Sequence, residues 1–201
     1  MRRFATITAL VLFLSAPALA ADAPAWTIDP AHSTISFSVR HIFTPVQGNF
    51  ERVSGTLRFD PENLEGSRVS VEIPVDGVNT RNERRDGHLK TADFFAADSY
   101  PAMRFESARI VRQGDDRYLR AGTLTIHGVS KDVALPFTLL GVGDHPMRAG
   151  HLVAGARLEA TVKRNDFGVG SGTWAETAVV GDDVTIEISI EAYRPKTAPA
   201  P

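Results

Sequence analysis

The sequence predicts an all-β protein, built either as an antiparallel sandwich or as a sheet closed into a barrel. Three observations support this fold class: apolar and polar residues alternate along several runs, turn-forming residues separate the runs, and one segment alone resembles a helix. So few helices cannot cover the apolar faces of the strands, and the sheet must therefore pack against itself. About eight strands are expected, and a barrel is favoured because closure removes exposed edge strands.

The first twenty residues have the pattern of a signal peptide. Two arginines form a basic start, an apolar run extends over Ala9–Leu14, and Ala18–Ala20 has the small residues of a cleavage site. The apolar run is too short to span a bilayer. We therefore expect cleavage after Ala20 and a periplasmic location. The remaining residues, 21–201, are expected to form a single domain with a folded core over about 26–193.

The composition excludes several classes of site and partner. The chain has no cysteine, which rules out disulfides, thiolate nucleophiles and zinc–thiolate sites. Loss of the two arginines of the signal peptide changes the formal charge from −2 to −4. This charge gives no reason to expect nucleic acid. Without disulfides, the hydrophobic core must stabilise the exported domain, and its length is sufficient for that.

Five runs show the alternation of a half-buried strand, at residues 34–40, 68–75, 133–139, 152–162 and 184–191. In the last run every second residue is Val or Ile, and the residues between are Thr, Ser or Glu. Turns are predicted at residues 60–61, 114–116, 128, 141–144 and 181–183.

The polar faces of these runs carry arginine and glutamate, which suit water rather than lipid, and the apolar faces should therefore point inward. An eight-stranded barrel has an interior that side chains fill or that holds one small ligand. Several small residues at expected inward positions suggest a cavity: Ser107, Ala154, Ala156 and Ala160.

The segment Asn79–Phe95 interrupts the strand pattern. Thr80 followed by Glu83 resembles a capping box and predicts a short helix from about Arg81 to Lys90. Two interpretations stay open for this segment. One is a lid that combines the apolar pair Phe94-Phe95 with a cationic rim, and the other is a solvated helix whose surface ion pairs contribute little stability. Composition alone favours the solvated helix.

Catalytic motifs are not evident. Four histidines could in principle serve as metal ligands or acid–base groups. Their spacing fits neither a metal site nor an HExxH motif. The four histidines are His32, His41, His88 and His127. Ser33 and Ser171 lack the context of a nucleophile elbow, and the glycines at 168, 170 and 172 do not open a helix as a phosphate loop does. A binding protein is therefore expected, without catalytic or metal-ligating residues.

A series of short motifs resembles the YceI-like family of exported, lipocalin-like proteins, and the resemblance extends from Trp26 to Tyr193. The motifs occur in order at 26–33, 37–41, 48–50, 55–61, 79–80, 85–86, 88–89, 93–95, 100–101, 105–107, 122–129, 164–168 and 181–184. The sequence departs slightly from the family pattern at Lys90 and Ser130.

The resemblance implies an antiparallel, eight-stranded lipocalin-like barrel with a hydrophobic cavity and one short helix insert. Family members bind long-chain amphiphiles, notably isoprenoid quinones or polyprenyl compounds and in some cases fatty-acid derivatives, and no catalysis is implied. We therefore expect a non-catalytic carrier of such a lipid, with no cofactor other than this ligand. A homodimer and a membrane quinone-linked redox partner are further expectations. Two alternatives stay open: a stress-response interaction module, and an uncharacterised hydrolase that uses Arg85, Asp86 and His88.

Eight residues are candidates for the ligand site on this basis. The expected wall or lid consists of Phe37, Phe94, Phe95, Phe105 and Phe167. The polar head-group end is expected at Arg85 and His88, with Arg164 as a third candidate.

Overall fold

The computed structural model describes residues 21–196, and the expected signal peptide lies outside this range. Eleven strands and one α-helix occur in the order β1 (Ala25–Ile28), β2 (Thr34–His41), β3 (Thr44–Phe50), β4 (Ser54–Arg58), β5 (Arg68–Pro74), β6 (Val78–Asn79), α1 (Glu83–Lys90), β7 (Ala102–Arg112), β8 (Arg117–Ile126), β9 (Val129–Asp144), β10 (His151–Lys163) and β11 (Val180–Pro195). Three short 3₁₀ turns cover Val75–Gly77, Arg164–Phe167 and Gly172–Ala175. Within residues 21–196, no helix combines the length and apolar character needed to cross a membrane.

The strands form one antiparallel sheet that closes into an eight-stranded barrel. Three of its strands are broken, because β1 continues as β2, β3 as β4, and β5 as β6. The long strand β11 pairs with β10 along one edge, and its other edge is shared between β2 and β1. At one end the ring closes through β1, β4 and β5, and at the other end β2, β3 and β6 extend the sheet from β11. The barrel expected from the sequence is confirmed.

Four of the five alternating runs lie within strands, and the fifth, 68–75, extends one residue past β5. Most of their apolar residues face the barrel interior. Cross-strand pairs align these residues, as in Ile186 opposite Phe37 and Leu158 opposite Ile188. Two predicted turns are wrong, however. Residues 141–144 belong to β9, and 181–183 belong to β11, where the pairing with β2 shifts register between Val180 and Val184. Glycine and aspartate mark a bulge here rather than a chain reversal.

Two clusters of buried side chains close the ends of the barrel. We call the first the basal cluster, and its buried members are Trp26, Phe59, Ile110, Tyr118, Phe137 and Ala192. The second is the cap cluster, formed by Val75, Phe94, Met103, Ile126, Phe167 and Val169. In the basal cluster the rings of Tyr118 and Phe137 stack with centroids 5.1 Å apart, and Phe59 meets both edge-on. Trp26 Nε1 donates to the carbonyl of Phe59 at 2.9 Å, so the indole is buried with its polar atom satisfied.

Helix α1 begins later than the sequence predicts, and Thr80 is not its N-cap. Asn82 occupies that position, and its side-chain oxygen accepts a hydrogen bond from the amide of Arg85 at 3.0 Å. Arg81 has φ of +60°, a left-handed conformation outside the helical region, so the helix cannot include it. The Thr80 hydroxyl instead bonds Asp86, and the capping-box interpretation of Thr80 and Glu83 is therefore wrong.

Candidate functional site

The barrel encloses a cavity of about 260 Å³ between the basal and cap clusters. Its lining is almost entirely apolar and comes from inward-facing residues of the strands, from α1 and from the turns after it. The polar residues at its boundary are Ser36, Arg104, Arg120, Arg157 and Arg164. An enclosed apolar space with few polar groups is typical of a small-molecule site.

Six of the eight candidate residues line this cavity. They are Phe37, Phe94, Phe95, Phe105, Arg164 and Phe167. Phe37 contacts Phe50 at a centroid distance of 5.5 Å, and Phe50 meets Phe95 at 6.0 Å, so a continuous aromatic row connects β2 with the turns after α1. Phe94 and Phe167 are at most 5% exposed and also belong to the cap cluster. Their contact with a ligand stays a prediction.

Arg85 and His88 lie outside the cavity lining and hold the helical cap in place; we use this name for α1 and the turns that follow it to Tyr100. Arg85 donates from Nε to the Thr80 hydroxyl and from Nη2 to the Thr80 carbonyl, both at 2.7 Å. His88 Nε2 lies 2.8 Å from a carboxylate oxygen of Asp93. These contacts anchor the start and the end of α1.

The helical cap is also joined to the loop of residues 164–175. The His88 ring lies 5.1 Å from the rings of both Phe94 and Trp174. The amide of Ser171 donates to the carbonyl of Asp93 at 2.7 Å. The cap and this loop therefore cover one end of the barrel together. Of the two interpretations of the insert, this arrangement supports a lid.

Arg164 borders the cavity, but backbone carbonyls occupy its guanidinium. Nε donates to Gly181 at 2.8 Å, Nη1 to Val169 at 2.9 Å and Nη2 to Val180 at 2.9 Å. The side chain is 5% exposed, and burial lowers its pKa. A Cβ at Gly170 would collide with Nη1, which explains a glycine with φ of +100° at this position. Arg164 thus connects the 164–175 loop to the start of β11.

Sequence reasoning missed Arg120, which is the charged residue on the inward face of β8. The alternation Tyr118, Arg120, Gly122, Leu124, Ile126 places it between the basal and cap clusters. Its guanidinium carbon lies 5.0 Å from the Phe137 centroid and 5.8 Å from that of Phe105. The sequence does contain a signal for this residue, because an arginine stands at a position of the strand where the alternation predicts an apolar residue.

One group of side chains within residues 21–196 has the spacing of a metal site, but it does not line the cavity. Asp29, His32 and Glu191 place one ligand atom each within 4.8 Å of one another. Hydrogen bonding to Asp29 raises the pKa of His32, and the same bond lowers the pKa of Asp29. An ion pair at the break between β1 and β2 accounts for this geometry.

Residues 26–192 match the family model described as a YceI-like domain. The chain belongs to the YceI-like family. Similar curated proteins include a UPF0312 protein of Pectobacterium atrosepticum, 32% identical over 192 residues that cover 95% of this chain and 96% of the relative. Protein YceI of Escherichia coli is 32% identical over 191 residues, covering 94% of this chain and 95% of the relative.

Several solved structures share the barrel. BcnA of Burkholderia cenocepacia aligns with a TM-score of 0.75 and 27% identity, over 82% of this chain and 98% of BcnA. The YceI protein of Campylobacter jejuni aligns with a TM-score of 0.68 and 34% identity, over 77% of this chain and 88% of that protein. A polyisoprenoid binding domain from Saccharophagus degradans has the same fold, with a TM-score of 0.64 and 15% identity over 85% of this chain and 98% of the domain.

Proposed function

We propose that this YceI-like protein is a periplasmic, non-catalytic carrier that holds a long-chain isoprenoid, of the quinone or polyprenyl type, or a related amphiphile. The observation that carries the proposal is the apolar cavity enclosed between the two clusters. Each 100 Å² of apolar ligand surface removed from water contributes about 2.5 kcal/mol. A barrel covers such a chain on all sides, and its interior is wide enough for one small ligand. The domain from Saccharophagus degradans that shares this fold is a polyisoprenoid binding domain, so the ligand class has a precedent in the fold.

The polar residues near the helical cap favour binding over hydrolysis. Asp86 accepts from the Thr80 amide at 2.9 Å and Arg85 donates to the same threonine, so both stabilise the turn before α1. His88 is paired with Asp93. These side chains do not line the cavity, and a reaction on an enclosed lipid would need groups that do.

The lipid can be identified by mass spectrometry of organic extracts from the protein purified after export. A stoichiometric prenyl lipid is expected, and a native protein that yields no lipid and takes up none after incubation with prenyl lipids would contradict the proposal.

A variant that fills the cavity sharpens this experiment. Ala156 lines the cavity on β10, and Ala156→Phe should reduce the bound lipid because the ring occupies the same space. Thr161→Phe is the matched control, since Thr161 lies on the exposed face of the same strand and its substitution should leave occupancy unchanged. Circular dichroism of both variants checks that the barrel is intact. Equal occupancy in both variants would place the lipid elsewhere.

The periplasmic location and the partners belong to the same proposal. Export is supported by the residues that precede Ala21. Fractionation with N-terminal sequencing should find a mature protein that begins at Ala21. A homodimer would double the solution mass in light scattering, and a quinone-linked membrane partner would be recovered by crosslinking only from lipid-loaded protein.

A further inference from the structure

Arg120 lies deep inside the barrel, beside the basal cluster. On β8 it is directly opposite Ile110 of β7 and Leu135 of β9, which are apolar. Ile126, in the cap cluster, is six residues further along the strand, or about 20 Å at roughly 3.3 Å per residue. The guanidinium is therefore at the basal end of the cavity, away from the helical cap.

The surroundings of Arg120 are aromatic rather than acidic. The side chain lies against the rings of Phe105 and Phe137, an arrangement in which the ring faces attract the cation. A Cβ at Gly122 would lie 2.7 Å from the Phe105 ring, so the glycine gives that ring the space to lie beside Arg120. The residues around Arg120 thus form a shaped apolar pocket.

Arg120 has no polar partner within residues 21–196. Its Nε is buried without a hydrogen-bond acceptor. Burial lowers its pKa to about 10, and no neighbouring carboxylate offsets this effect. The group is still protonated at neutral pH. An unpaired buried charge is costly, and a cation in such a place is expected to meet an anion when the protein is loaded.

The other arginines that border the cavity are already paired. Arg104 binds Glu72 at 2.8 Å, and Arg157 lies within 4.0 Å of Glu159 and Glu187, all on the outer face of the barrel. The guanidinium of Arg164 donates its hydrogen bonds to backbone carbonyls. Among the residues that line the cavity, Arg120 therefore stands apart in offering an unused charged donor to a ligand.

We propose that Arg120 binds the carboxylate of a long-chain carboxylic acid, whose head group lies inside the barrel while its apolar chain extends toward the cap cluster. This inference rests on the proposed lipid-binding function and names the ligand class. A planar carboxylate accepts two parallel bonds from a guanidinium, one of them from the free Nε. It also carries a single charge, which one arginine neutralises. A phosphate monoester carries about 1.5 to 2 negative charges near pH 7, and part of that charge would be left unpaired in the cavity.

The test compares ligands that differ only in the head group. Delipidated protein is titrated with oleic acid and with oleyl alcohol, and with geranylgeraniol as a neutral prenyl probe, and complexes are measured by native mass spectrometry. The wild type should bind oleic acid at least about tenfold more tightly than oleyl alcohol, since hydrogen bonds to charged groups are the strong ones. Arg120→Met should remove this preference while keeping the affinity for oleyl alcohol. Arg120→Gln serves as a second neutral variant if the methionine variant does not accumulate.

Arg194→Met is the matched control. Arg194 is a second arginine whose Nε is buried without a partner, and its guanidinium carbon lies 5.0 Å from the Trp26 centroid. It does not line the cavity, so its loss should leave the preference for the acid unchanged. A wild type that binds geranylgeraniol but shows no preference for oleic acid would overturn the role of Arg120 and leave the proposed function standing. A neutral Arg120 variant that keeps the preference for oleic acid would likewise overturn the role of Arg120 and leave the proposed function standing. Failure of all three probes would overturn both proposals.

Discussion

Replacing Arg164 by methionine distinguishes a structural role from a head-group role for this residue. Methionine keeps most of the apolar stem but removes the donors to the carbonyls of Val169, Val180 and Gly181. All three bonds are 2.8–2.9 Å long, and two of them join Arg164 to residues 16 and 17 positions further along the chain. The variant therefore releases the 164–175 loop from β11 and leaves buried carbonyls without a donor.

The expected loss of stability can be estimated from these contacts. A net contribution of about 1 to 1.5 kcal/mol for each of the three bonds gives about 3 to 4.5 kcal/mol. Removal of a buried cation offsets part of this, and we expect a loss of about 3 kcal/mol. For a domain of this size the melting temperature should fall by about 6 to 12 °C.

Urea unfolding followed by circular dichroism measures this loss directly. Arg157→Met is the control, because Arg157 is exposed and its ion pairs with Glu159 and Glu187 are at the surface. Its unfolding free energy should change by no more than about 0.5 kcal/mol. If Arg164→Met is as stable as this control and instead weakens lipid binding, the structural role is wrong and Arg164 contacts the ligand head group.

Three further predictions follow from packing and titration. Gly122→Ala should destabilise by about 1 to 3 kcal/mol in urea unfolding, because its Cβ would collide with the backbone carbonyl oxygen of Glu106 and lie 2.7 Å from the Phe105 ring, and an unchanged midpoint would contradict this. Phe94→Ala should lower stability by about 3 to 5 kcal/mol and speed the exchange of bound lipid in a stopped-flow assay, since Phe94 is 5% exposed in the cap cluster. The pKa of His32 is raised above 6.5, and that of Asp29 is lowered below 3.8. The ion pair therefore stabilises the fold fully between pH 3.8 and pH 6.5. This stabilisation is lost as the pH rises through the raised pKa of His32 or falls through the lowered pKa of Asp29. Melting curves of His32→Ala should therefore show a smaller change than wild type between about pH 5 and pH 8, and parallel curves would refute this.

Much of the barrel could be predicted from local patterns. A strand shows its two faces through alternation at i and i+2, so β2, β5, β9, β10 and β11 are visible without any long-range information. The same alternation correctly predicts an apolar interior. The ends of elements were less predictable, because the glycines and aspartates at 141–144 and 181–183 are compatible with both turns and strands. Pairing with β10 decided in both cases, as in Asp144 opposite Leu152 and Asp183 opposite Lys163.

The site was predictable in part. The aromatic candidates were named from the family resemblance and from the expected inward faces of the strands, and the structure places all five in the cavity lining. Arg85 and His88 were assigned to the head-group end on charge alone, and contacts with Thr80 and Asp93 account for them in the fold. Local sequence could not show these contacts, since they depend on the left-handed turn at Arg81 and on the way in which the chain folds back after α1.

The sequence by itself determined the all-β class, the inward direction of the apolar faces, and the presence of one short helix in the segment Asn79–Phe95. These properties follow from the spacing of residues that are close in the chain. The tertiary structure decided how the barrel closes through the divided edge of β11, and it determined which arginines are paired. Whether a charge such as Arg120 has a partner depends on residues from other strands, and only the closed barrel brings those residues together.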